Sequence, residues 1–99
     1  MAAPRKSYAQ TEHEGLSVEV VLLDFEKAGD QIDRHQHPVG HLSGLFVGTA
    51  SYLIGEKLVD YEAPALIWIP ANVDHQITAK VAGTRTACIF DARAIHGLS

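Results

Sequence analysis

The chain is cut into short apolar segments, each ended by Gly, Pro, Asn or Asp within 6–12 residues, and no segment shows a 3.6-residue stripe. A parallel α/β fold needs crossover helices between its strands, and no stretch here supplies one. LSVEVVLLDF (16–25) puts Leu16, Val18, Val20 and Leu22 on one parity, as a strand does. Ile32 to His37 reads as a second strand, stopped by Pro38. After a loop PVGHLSG (38–44), Leu45 to Ile54 follows with a break at Gly48, and Gly55-Glu56 suits a type II′ hairpin into KLVDY. ALIWI (65–69) reads as a buried strand because it is apolar on both parities, and PANVD (70–74) as a turn. HQITAKV (75–81) alternates with His75 on the apolar parity, and TACIFDA (86–92) forms the last strand. Seven or eight strands spaced this way make an all-β sandwich or barrel with little or no helix. Residues 1–14 are polar and aperiodic, expected as an N-terminal arm or an edge strand, so 15–99 carries the single domain. RAIHGLS (93–99) suits one helical turn.

Composition excludes several roles. Eight Lys and Arg against twelve Asp and Glu give a formal charge of −4 at pH 7, opposite in sign to a nucleic-acid footprint or an anionic-membrane binder. No apolar run reaches membrane-spanning length, and the first fifteen residues hold no apolar segment of the secretory kind. The single cysteine, Cys88, has no intrachain partner, and a cytoplasmic location is expected. Cys88 reads as a small core residue rather than a nucleophile.

Six histidines are many for 99 residues, and His35, His37 and His41 fall within seven positions. On a strand, His35 and His37 share a face about 6.6 Å apart, close enough for both rings to reach one ion at about 2.0–2.1 Å. Pro38 and Gly40 allow the chain to turn and return the ring of His41, while the parity of His75 aims it inward. Imidazole is the commonest metal ligand, and four inward rings without an acidic neighbour are otherwise hard to account for. His13 and His96 lie in weakly patterned ends and are expected on the surface. Parity nominates Phe46, Tyr52, Trp68, Ile77 and Phe90 for a pocket wall, and sets Arg34 and Gln36 opposite the ligands.

The spacing Gly29-x5-His35-x-His37-x3-His41-x6-Gly48 resembles the first cupin motif, G-x5-H-x-H-x3-4-E-x6-G. The second cupin motif, G-x5-P-x-G-x2-H-x3-N, is matched at Pro70 and His75. His41 stands where the family's acidic ligand usually does, Pro64 and Asn72 take the two glycine positions, and Ala79 replaces the last Asn. Asn tolerates the left-handed backbone such a turn needs. The resemblance covers about residues 16 to 92 and implies an antiparallel jelly-roll β-barrel holding a divalent transition ion on His35, His37, His41 and His75. An octahedral ion on four rings keeps two positions for water, dioxygen or substrate. Iron, manganese, nickel and zinc all suit such a set. The implied function is a metal-dependent enzyme, oxygenase- or isomerase-like, acting on a small organic molecule. The alternatives are a small-ligand-binding or sensor module and a purely structural metal site. No H-E-x-x-H, G-x-S-x-G or P-loop is present, so no catalytic acid, base or nucleophile declares itself. A homodimer is expected, with Leu16 to Phe25 as the interface strand.

Overall fold

The computed structural model describes residues 2–91, and all nine elements among them are strands. In chain order they are β1 (Arg5–His13), β2 (Leu16–Phe25), β3 (Gln31–His35), β4 (His41–Val47), β5 (Thr49–Ile54), β6 (Lys57–Glu62), β7 (Ala65–Ile69), β8 (His75–Ala79) and β9 (Thr84–Asp91). They build two antiparallel sheets, β1-β2-β9-β4-β7 and β3-β8-β5-β6, packed as an all-β jelly roll. The tail 93–99 lies outside the described residues, as does His96. No helix among the described residues is long and apolar enough to cross a membrane.

Turn chemistry fixes the registers. The β5–β6 hairpin closes through Gly55-Glu56, with Ile54 opposite Lys57 and Gly55 at φ 61°, as a type II′ turn requires. The β1–β2 hairpin closes through Glu14 and Gly15, both at positive φ, the type I′ form. Gly48 sits where the chain leaves the larger sheet and enters the smaller one. Its φ is +90°, and a Cβ there would lie 2.4 Å from Thr84 Oγ1, so no other residue fits. Phe25, Leu45, Tyr52, Ile69, Ile77 and Phe90 lead the core between the sheets. Inside it the Ser43 and Tyr52 hydroxyls hydrogen-bond at 2.8 Å, which removes the cost of burying either alone. Ala2 donates its N–H to Asp30 Oδ1 and accepts from Gln31 N, tying the segment before β1 to the start of β3.

Three expectations need correction. The 38–44 loop is shorter than the sequence suggests, because β4 begins at His41 and Gly48 splits 41–54 into two strands in different sheets. β7 is an edge strand and is not buried on both faces: Leu66 is 74% exposed and Trp68 59%. An all-apolar run carries no parity, so sequence alone cannot assign its faces. β2 lies between β1 and β9 and has no free edge for a partner; the free edges of that sheet are β1 and β7.

Candidate metal centre

The four histidines meet at one end of the barrel. His35 ends β3, and its cross-strand partner in the smaller sheet is His75, the first residue of β8. His37 follows two residues after β3, and His41 is the first residue of β4, in the larger sheet. The turn before β8 fixes how the pieces sit. Asn72 adopts φ 61° and donates its N–H to the His37 carbonyl at 2.7 Å, so the second turn is fastened to the first histidine segment. Asp74 grips β3 from outside, accepting from Arg34 Nε at 3.1 Å and Gln36 Nε2 at 2.9 Å. Arg34 and Gln36 thus point away from the rings, as their parity requires.

Ring centroids are 4.2 Å apart for His35 and His75, 4.8 Å for His35 and His37, and 5.3 Å for His37 and His75. One nitrogen from each of these three lies within 4.8 Å of the others, a spacing that small ring rotations close onto one ion. The His41 ring is 5.2 Å from His37 and 5.3 Å from His75, stacked on Phe90 at 4.5 Å. It stands one step back from the three-ring group.

Whether these residues suit a metal is decided by protons and hydrogen bonds. His35 Nδ1 donates to the Asp33 carbonyl at 2.7 Å and His75 Nδ1 to the Val73 carbonyl at 3.2 Å. Each bond fixes the tautomer and leaves the Nε2 lone pair free, the usual outer-shell arrangement of a ligating histidine. His41 Nδ1 is buried without any hydrogen-bond partner, an expensive arrangement that a ligand would relieve. Burial, reinforced by repulsion from the neighbouring rings, lowers His37 and His41 to about 4. Burial also lowers His75, against the hydrogen bond to the Val73 carbonyl. The rings of His37, His41 and His75 are therefore neutral near pH 7, the form that ligates. The donor set fits a divalent transition ion.

The histidines line a cavity of about 820 Å³ that lies between the β1–β2 end of the larger sheet and β3. Ile77 and Phe90 face it, while Tyr52 is buried in the adjoining core. Phe46 and Trp68 are 44% and 59% exposed on the outer face and take no part in the wall. Sequence reasoning missed Lys6 and Tyr8, which line the cavity from β1, and Asp74. Only Asp74 had a signal, its place beside His75.

No family model and no curated protein matches the chain. Solved structures do. A cupin superfamily protein from Desulfitobacterium hafniense aligns with TM-score 0.70 and 16% identity over 90% of this chain and 79% of its own. A conserved protein with a double-stranded β-helix domain from Klebsiella pneumoniae gives 0.72 and 19% over 88% and 75%. A cupin 2 conserved barrel domain protein from Salinispora arenicola gives 0.73 and 14% over 95% and 81%. At these identities the likeness lies in the fold, and the fold of this chain is that of the cupin superfamily.

Proposed function

We propose that this is a metal-dependent cupin enzyme, holding one divalent ion on His35, His37, His41 and His75 and acting on a small organic molecule. The observation that carries the reading is the cavity itself: four imidazoles, two with their tautomer fixed by backbone carbonyls, at the wall of a solvent-accessible space. A bound ion supplies Lewis acidity toward an enolate or carboxylate. The chain's own residues do the rest. The Asp33 and Val73 carbonyls orient His35 and His75, Phe90 holds the His41 ring in place, and Val21, Leu23 and Ile77 keep the inner wall dry.

One observation favours a second reading, a binding module without turnover. The two titratable groups nearest the core side of the site are silenced by burial, Tyr52 pushed up to about 12 and Cys88 to about 11. Neither can move a proton near neutral pH.

Elemental analysis of the purified and the reconstituted protein is expected to find about one transition ion per chain, lost in His37→Ala. No metal in either preparation overturns the site. Oxygen uptake and product formation on diketones, phenols and uronates then separate the readings: turnover that vanishes in His37→Ala supports the enzyme, and binding without product supports the module.

A further inference from the structure

The charges around the cavity define the class of ligand it takes. Lys6 springs from β1 opposite Leu23 and lines the same cavity as the histidines. Lys6 is exposed, so its ammonium stands at the solvent-facing side of the cavity wall. The one other cation in the lining, Arg34, is held by Asp74; away from the cavity Arg5 holds Glu26 and Lys80 holds Asp60. Among the described residues no ion pair involves Lys6. Two carboxylates share the cavity lining. Glu19 is four residues along β2 from Leu23, about 13 Å away, and has a contact of its own. Asp33 lies on the β3 wall and accepts from Gln31 Nε2 at 3.4 Å. Between Lys6 and the imidazoles the lining is apolar: Val21, Leu23, Ile77 and Phe90.

A cation at one end, an apolar wall and lone-pair donors at the other make a two-ended site. We propose that the cavity takes a small organic carboxylate, its anionic group on Lys6 Nζ, its apolar body along Val21 and Phe90, and its far end toward the histidines. The proposal deepens the reading of this cavity as a ligand site and needs the metal only for the far end. An unpaired cation in a chain of formal charge −4 is the kind of local field that selects an anion.

The test uses wild type, Lys6→Met and Lys6→Arg, each first assayed for bound Co2+ after loading, then titrated calorimetrically with benzoate and with benzamide. The expected result is benzoate binding about tenfold tighter than benzamide in wild type, a margin that shrinks with added salt. Lys6→Met should lose that margin with cobalt content and benzamide affinity unchanged, and Lys6→Arg should keep it. Equal benzoate affinity in wild type and Lys6→Met, with cobalt retained, overturns the Lys6 anchor and leaves the metal reading standing. No measurable benzoate binding to wild type also overturns it. If wild type takes up no cobalt, the metal reading fails separately. The same titrations of the metal-free proteins then uphold or overturn the anchor by the same comparison.

Discussion

Acidifying the metal-free protein should destabilise it well before its carboxylates protonate. His41 is 2% exposed and its pKa falls from 6.5 to about 4 on folding. Above 6.5 the ring is neutral in both states and folding pays nothing for it. Between 6.5 and 4 the unfolded chain binds the proton and the folded chain does not, so stability drops as pH falls and levels off below about 4. Each pKa unit is about 1.4 kcal/mol, so the whole shift amounts to about 3 kcal/mol, of which about 2 is lost by pH 5. His37 adds to this, though less than its own shift, since part of the His41 displacement is repulsion from His37. For a domain of this size 2 kcal/mol corresponds to a Tm lower by about 10 °C. Thermal melts of chelator-treated protein at pH 5 and pH 7 measure it, with His41→Phe as the control. Phe at 41 preserves the stack on Phe90 and removes both the titrating group and its unpartnered nitrogen. The variant should melt higher than wild type at pH 5, narrow the gap between the two pH values, and hold metal less well. Equal melting temperatures for wild type at both pH values, or an unchanged gap in His41→Phe, would refute the reasoning.

Two further outcomes concern the barrel that holds the site. Gly48→Ala forces a side chain into φ +90° with its Cβ 2.4 Å from Thr84 Oγ1 and 2.9 Å from Thr84 Cα. It should cost about 3 kcal/mol in urea unfolding, and a loss below about 0.5 would show that the crossing between sheets is not constrained there. Tyr52→Phe removes one end of the buried 2.8 Å bond to Ser43 and leaves the fully buried Ser43 hydroxyl without it. The expected loss is about 1–2 kcal/mol by the same assay, and a more stable variant would contradict it.

How much was readable in the sequence depended on whether a residue's face could be inferred from its neighbours. His35, His37 and His75 sit on alternating or turn-bounded segments, so parity and spacing alone suffice to bring them together. The Gly55 hairpin was legible because one dipeptide encodes both loop length and register. Phe46 and Trp68 were misplaced for the complementary reason. Inside-facing residues of β4 are His41, Ser43 and Leu45, which puts Phe46 outside, but that parity exists only once the strand is known to begin at His41. In β7 the apolar Leu66 and Trp68 decorate an edge strand, where pattern and burial part company. β1 had almost no apolar signature because it extends the sheet past the core, and the contribution of Lys6 went unseen with it.

The division of the histidines between layers has a mechanical consequence. The two sheets are joined across the barrel by core packing, which is strong but non-directional and permits small sliding of one layer over the other. His35 and His75 are anchored in one layer and His41 in the other. An ion gripped by both would act as a rivet beside the cavity, stopping that shear at the histidine end. Occupancy of the centre would then tie the two layers together as well as supply chemistry, and loss of the ion would loosen that end before it loosened the core.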